Sequence, residues 1–191
     1  MPHRKTVKHY ETIPAVHELT FSYYRRMPLL TNDVWRTMLG EAITAATARH
    51  QFDLLAFVLM PEHVHLLVLR RHHSSGASNL LNAIKRPYSY RIKQLLIKGK
   101  SPLREKLTIQ QRPGVKTFRY WQEGPGYDRN LETRAAMQAA INYIHLNPVR
   151  RKLCETAIQW KWSSARYYHV TDYQTDKDLP RINGLSAELL E

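Results

Sequence analysis

The chain has 191 residues, 43% of them hydrophobic, which suits one domain with a substantial core. Its 29 Lys and Arg residues against 16 Asp and Glu residues give a formal charge of +13, so nucleic acid is the first candidate partner. A single cysteine, Cys154, excludes an intramolecular disulfide framework, and the absence of an apolar run of membrane-spanning length or of a signal-peptide core predicts a soluble cytoplasmic protein without a membrane partner.

The first half of the chain predicts a strand, a helix and a pair of strands. Aromatic and β-favouring residues predict a strand over 16–24. A helix capped by Thr31 or Asn32 should then run to about His50. The apolar runs within 52–70 are too short for ordinary helices, and they predict two adjacent strands that form a hairpin.

Two histidines stand at the head of the second strand of this hairpin. Because side chains alternate along a strand, His63 and His65 should share one face while Val64 and Leu66 share the other. Two imidazoles on one face can bind a single metal ion. An isolated pair of this kind is also typical of half-buried histidines that bond to backbone carbonyls or to water, so its meaning depends on the rest of the chain.

The middle of the chain carries much of the positive charge. A helix is predicted over about 79–97, with Pro87 expected to kink or interrupt it, and 99–117 is predicted to be a long basic loop. Such charges often form only a solvated face, but together with tyrosines they are also typical of a surface that follows a phosphate backbone. We therefore expect contacts to DNA from Lys85, Arg86, Tyr90, Arg91, Lys93, Arg112, Lys116 and Arg119.

The last predicted elements are a strand, a turn and a helix. Aromatic residues predict the strand over 118–122, and glycine and proline predict a turn over 123–129. Asn130 or Thr133 should cap the helix that follows, and Pro148 should end it.

Four motifs stand out in the sequence: Met60-Pro61-Glu62-His63-Val64-His65, Trp121-Gln122, Tyr127-Asp128-Arg129-Asn130 and Tyr143-Ile144-His145-Leu146-Asn147-Pro148-Val149-Arg150. They resemble those of the REP-associated tyrosine transposases, which are relatives of the small single-strand transposases with a His-hydrophobic-His (HUH) motif and one catalytic tyrosine. They lie in the same order over about 16–168, although the basic segment 99–117 is longer than expected and Arg151 and Lys152 stand where many relatives have small residues. The resemblance implies an α+β, ferredoxin-like HUH fold, in which helices pack on one side of a central antiparallel sheet.

The resemblance also implies a chemistry. His63 and His65 match the two histidine metal ligands, Asn147 matches the polar third ligand, and Tyr143, one helical turn before Asn147, matches the nucleophile. The implied cofactor is Mg²⁺ or Mn²⁺. The implied reaction cleaves and rejoins single-stranded DNA through a 5′-phosphotyrosine, on hairpins of repetitive extragenic sequences, by a monomer or a homodimer. A nearby cation suits this chemistry, because a phenol with a pKa of about 10 is a poor nucleophile at neutral pH.

Alternatives remain open from the sequence alone. Tyr143 could instead be a core residue, and Tyr127 is a competing nucleophile, although a flexible turn would position its oxygen less well than a helix would. His145 points away from Tyr143 and is interpreted as structural, and Glu62 as a partner of the site or a turn residue. The whole protein could be a domesticated module that binds hairpin or single-stranded DNA without cleaving it. A hydrolase of small phosphoesters is disfavoured by the positive charge and by the lack of carboxylates in the motifs.

Three segments are expected along the chain. They are a flexible basic arm over 1–15, a single catalytic domain over 16–170 and a polar tail with little order over 171–191. Within the domain, Trp160 and Trp162 are expected to belong to the core or to a lid. When bound to DNA, the protein would be associated with the nucleoid.

Overall fold

The computed structural model describes residues 15–72, 76–124 and 126–185, and its centre is a four-stranded antiparallel sheet. The strand order is β2-β3-β1-β6, and a separate hairpin of β4 and β5 stands outside this sheet. The strands are β1 (Ala15–Ser22), β2 (Phe52–Leu59), β3 (His63–Arg70), β4 (Thr108–Arg112), β5 (Val115–Phe118) and β6 (Tyr127–Leu131). The helices are α1 (Asp33–Arg49), α2 (Ala77–Lys98), α3 (Leu103–Lys106), α4 (Arg134–Arg150) and α5 (Ala165–His169), with 3-10 turns at Tyr24–Arg26 and Ala157–Gln159.

Helices cover both faces of the sheet. Alternate residues of the central strands enter two separate cores, so that Leu19 and Leu66 pack with α1 and α2 while Val16 and Leu67 pack with α4. The predicted central antiparallel sheet and the predicted hairpin of β2 and β3 are confirmed. The expectation of helices on one side only is wrong, because these strands carry apolar side chains on both faces.

Helix α4 lies over the same sheet face as the histidine pair. The Thr133 side chain caps it by accepting a hydrogen bond from the Ala136 amide, as one of the two predicted caps. The prediction that Pro148 ends this helix is wrong. Proline removes only one amide donor, and the helix continues because the Arg151 amide still donates to the Asn147 carbonyl at 3.1 Å.

Other local expectations differ from the structure in the basic and glycine-rich parts of the chain. The segment 99–117 is not a loop, since it contains α3 and most of a hairpin that turns at Gly114, which has a φ of +76°. The last strand of the main sheet is β6, which begins inside the predicted turn 123–129 and extends beyond it, and not the predicted 118–122. Pro87 lies inside α2 without ending it.

The carboxy-terminal part of the chain follows the outer edge of β2. Trp162 is buried in the core, which agrees with the expectation for it. The tail was expected to have little order, which is wrong for its described part. Leu179 is buried, and Asn183 exchanges two hydrogen bonds with the backbone of Leu54. The arm predicted over 1–15 lies outside the described residues except for Ala15, and the limits of the predicted domain stay a prediction.

Candidate active site

The floor of the site is the sheet face that carries the two histidines. In the register of the sheet, Thr20 on β1 pairs with His65 on one side and with Tyr127 on the other, and Ser22 pairs with His63. Cross-strand partners point to the same face, so these residues form two adjacent polar rows. The imidazole centroids of His63 and His65 are 4.7 Å apart, and the predicted shared face is confirmed.

His65 is held on both of its ring nitrogens. Its Nδ1 lies 2.7 Å from the Thr20 hydroxyl and its Nε2 lies 3.2 Å from the Asn147 amide nitrogen. Burial, together with the neighbouring His63, lowers the pKa of His65 to about 3. The ring is therefore neutral at physiological pH and keeps a lone pair for a ligand.

His63 stands among charged groups. Burial lowers its pKa, the Glu62 carboxylate opposes this shift, and the guanidinium groups of Arg151 and Arg26 lower the pKa further. Glu62 also accepts a hydrogen bond from Arg151, the residue that follows α4. The net direction leaves a second neutral imidazole beside His65.

Tyr143 projects from α4 toward the histidines. Its ring is perpendicular to the His65 ring with 5.5 Å between the centroids, and its side chain is 40% exposed. The Arg150 guanidinium lies over the phenol ring, 5.1 Å from its centroid. The alternative in which Tyr143 is a core residue is therefore wrong. His145 is buried and its Nε2 lies 2.8 Å from the Ser164 hydroxyl, which fits a structural role.

The donor groups suit a divalent cation. Two neutral imidazoles and the Asn147 amide converge, and a half-turn of the amide would direct its oxygen toward His65. Three such ligands leave coordination positions for phosphate and water. Within 15–72, 76–124 and 126–185, no cluster of three or more His, Cys, Asp or Glu residues could hold a metal ion, so an ion at this site would depend on the amide and the substrate.

These residues open into a cavity of about 720 Å³ between the sheet and α4. Arginines surround it, and two of them are paired with carboxylates of the wall: Arg129 with Glu18 at 2.8 Å, and Arg151 with Glu62. The volume suits a nucleotide-sized group, and the cations suit a phosphate. The lining arginines are Arg26, Arg129, Arg150 and Arg151.

Tyr127 lines the same cavity and is 51% exposed. It lies on β6 and not in the predicted flexible turn, so flexibility no longer separates it from Tyr143. The positions of the two tyrosines relative to His65 still distinguish them. The strand that carries Thr20 lies between Tyr127 and His65, which separates their backbones by about 10 Å.

The side chains predicted to contact DNA lie elsewhere. A second cavity of about 460 Å³, between α2 and the β4–β5 hairpin, is on the opposite face of the sheet from the histidines. Arg91 and Arg119 are instead paired with Glu41 and Glu123, and Arg112 belongs to β4. The predicted residues that line the second cavity are Lys85, Arg86, Tyr90, Lys93 and Lys116.

Several residues of the first cavity were missed in the sequence. Thr20 and Glu18 face it only because β1 pairs with β3 on one side and with β6 on the other. The alternation of β1 placed them on one face, but nothing local indicated which face would be open. Arg26 follows a strand without belonging to a motif.

Comparison with known proteins gives a family and a fold. The family model for IS200-like transposases matches residues 15–119, which include the histidine pair and end before α4. No curated protein matches the chain. A solved structure described as a REP-associated tyrosine transposase bound to a REP hairpin is 19% identical, with a TM-score of 0.66 over 91% of this chain and 93% of that chain. A putative transposase from Deinococcus radiodurans is 18% identical, with a TM-score of 0.44 over 74% of this chain and 97% of that one. The first likeness confirms the predicted α+β, ferredoxin-like HUH fold.

Proposed function

Since the chain belongs to the family of IS200-like transposases, we propose that it cleaves and rejoins single-stranded DNA through a covalent 5′-phosphotyrosine. Tyr143 is the nucleophile in this proposal, and His63, His65 and Asn147 hold Mg²⁺ or Mn²⁺. The single observation that supports it is the packing of the half-exposed Tyr143 phenol against the His65 ring inside one open cavity, with 5.5 Å between the ring centroids.

In the proposed reaction, the Tyr143 oxygen replaces the 3′-oxygen on the scissile phosphate. Helix α4 directs the Tyr143 oxygen at the phosphorus, the bond to the 3′-oxygen breaks, and the phosphate remains on the tyrosine. Because one ester replaces another, the bond energy is retained and a 3′-hydroxyl can reverse the step. A divalent cation supplies a charge that favours the phenolate and polarises a phosphate oxygen when it is bound.

The neighbours of the histidines prepare them for this role. If His65 donates from Nδ1 to the Thr20 hydroxyl, its Nε2 lone pair is directed toward Asn147. The arginines of the cavity counter the phosphate charge.

We propose hairpin DNA of repetitive extragenic elements as the substrate. The support is the solved relative, which is described as bound to a REP hairpin. The second cavity supplies the cationic side chains and the exposed Tyr90 that a DNA stem or its flanking bases would contact. This substrate places the protein on chromosomal DNA.

The test is formation of a covalent adduct. Wild-type protein and labelled hairpin DNA with a single-stranded flank are incubated with and without Mn²⁺, and complexes that survive denaturation are counted on a gel. We expect a Mn²⁺-dependent adduct that Tyr143→Phe abolishes without loss of hairpin binding.

The control variant is Tyr127→Phe, which changes the other tyrosine of the same cavity and should keep the adduct. An adduct that survives Tyr143→Phe and disappears in Tyr127→Phe would reverse the assignment. Hairpin binding without any wild-type adduct in Mn²⁺ would leave a binding module in place of an enzyme.

A further inference from the structure

Two consecutive arginines beside the active-site cavity have an unfavourable backbone conformation. Arg25 has a φ of 53° and Arg26 a φ of 52°, in the left-handed region that glycine prefers. Each such residue costs on the order of 1 kcal/mol, and conformations of this kind persist where the surrounding structure enforces them, often at functional sites. The pair therefore calls for a functional explanation.

The segment that carries them is attached to the turn in front of the histidines. The Tyr23 amide donates to the Glu62 carbonyl at 3.1 Å, and the Leu30 amide donates to the Pro61 carbonyl at 3.0 Å. Glu62 is the residue next to His63. The backbone of 23–30 is thus held beside the turn that precedes His63.

Only one of the two arginines lines the cavity. The Arg25 guanidinium lies over the Tyr24 ring, 5.1 Å from the ring centroid. The backbone amide of Arg25 donates to the Gln122 side chain. Arg26 lines the cavity together with His63. Among the residues that the structure describes, Arg26 has no carboxylate partner, whereas Arg129 and Arg151 have one each.

Arg26 and Tyr143 approach the histidine pair from different ends. Tyr143 contacts His65, and Arg151, one turn past Asn147, reaches Glu62 at the His63 end. Arg26 belongs to that same end, since it follows Ser22, which pairs with His63, and the backbone on both sides of it is bonded to the turn before His63. A phosphate that lies over the two imidazoles would therefore have the phenol on one side and the Arg26 guanidinium on the other.

We propose that Arg26 binds the scissile phosphodiester on the side from which the 3′-oxygen leaves. This inference rests on the proposed function. In an in-line displacement the bond from the Tyr143 oxygen to phosphorus forms as the bond to the 3′-oxygen breaks. The phenol proton passes to solvent, and the electron pair of the broken bond stays on the 3′-oxygen, which takes a proton from solvent to become the hydroxyl. A guanidinium beside that oxygen stabilises its developing charge and holds the 3′ end for the reverse step.

The test compares two neighbouring glycine variants. Arg26→Gly and Arg25→Gly each remove one positive charge and each accommodate a positive φ, so they differ in whether the lost guanidinium lines the cavity. In single turnovers on the hairpin with Mn²⁺, we expect Arg26→Gly to slow adduct formation by about 100-fold, the usual scale for a lost electrostatic donor. Arg25→Gly should change the rate by no more than about twofold.

A modified substrate tests the side on which Arg26 acts. When sulfur replaces the bridging 3′-oxygen at the scissile position, the leaving group needs little stabilisation. The deficit of Arg26→Gly relative to Arg25→Gly should then shrink to a few-fold. An equal deficit on the oxygen and sulfur substrates would overturn the assignment to the leaving oxygen.

Equal adduct rates for the two glycine variants on the ordinary hairpin would overturn the inference and leave the proposed function intact. A wild-type protein that forms no adduct would overturn both. If Arg26→Gly does not fold, Arg26→Asn replaces it, since asparagine also tolerates the left-handed region, and the same rates are expected.

Discussion

At the scale of single residues, the Thr20 hydroxyl is the group that most directly controls His65. It lies 2.7 Å from Nδ1, and when Nδ1 donates to this hydroxyl the lone pair of Nε2 is available to a ligand. Removing a partner of this kind commonly weakens metal binding by about 10- to 100-fold. We therefore expect Thr20→Val, which keeps the shape of the side chain, to weaken Mn²⁺ binding by that factor in a calorimetric titration.

Thr20→Ser keeps the hydroxyl and is the matched control, so it should bind Mn²⁺ nearly as well as the wild type. Equal Mn²⁺ affinity of the valine and serine variants would show that the Thr20 hydroxyl does not prepare His65 for an ion. Because the measurement is of binding, it does not depend on whether DNA is cleaved.

At the scale of elements, the position of β6 decides which side chains face the cavity. Gly126 precedes this strand with a φ of +79°, and a Cβ there would lie 2.4 Å from the Thr20 carbonyl oxygen. Gly126→Ala combines a backbone clash with an unfavourable φ, so we expect the free energy of unfolding to fall by about 3 kcal/mol in urea denaturation.

Gly124 is the matched control. Its φ is +104°, but nothing lies within 4 Å of a Cβ at that position. Gly124→Ala should therefore show only the conformational cost, about 1 kcal/mol. If the two alanine variants were equally stable, the close approach of β6 to β1 at Thr20 would be contradicted.

The same elements show how far local sequence patterns could predict the structure. Alternation in β3 predicted the shared face of His63 and His65, and helical spacing predicted that Tyr143 and Asn147 would be neighbours, since both rules concern residues close in sequence. Strand β6 was missed because its sequence, YDRNL, is polar and follows two glycines. It is an edge strand whose place depends on pairing with β1, more than 100 residues earlier.

At the scale of the whole molecule, the sheet separates the two cavities. The cavity with the histidines and Tyr143 lies on the α4 face, whereas the second cavity, which is lined by Lys93 and Lys116, lies on the α2 face. If the stem of a DNA hairpin bound at the second cavity, its single-stranded flank would have to run around an edge of the sheet to reach Tyr143. Binding of the stem and cleavage of the strand should therefore be separable.

Lys93→Glu tests this separation. The reversed charge should weaken hairpin binding and reduce the dependence of log Kd on log salt by about one unit, as for the loss of one phosphate contact. Lys98→Glu reverses a charge at the exposed end of the same helix, outside the cavity, and should have a smaller effect. Mn²⁺ affinity should be unchanged in both variants. A loss of Mn²⁺ binding in Lys93→Glu would contradict the separation.

The carboxy-terminal segment runs along the outer edge of β2. An exposed edge strand offers unpaired amides and carbonyls to other chains. Here the Trp162 carbonyl accepts from the Leu59 amide at 2.8 Å, and the Asn183 side chain accepts from the Leu54 amide at 3.0 Å. The segment thus protects the strand next to β3, which holds the histidines.

Hydrogen exchange at the Leu54 amide measures this protection. Asn183→Ala removes the side-chain acceptor, and since such a hydrogen bond is worth about 1 kcal/mol, the exchange of that amide should become about fivefold faster. Gln174→Ala makes a similar truncation at an exposed position of the same segment and should leave the exchange rate unchanged. Equal exchange at Leu54 in the two variants would mean that the segment does not cover β2 in solution, and that this edge is free to pair with a second chain.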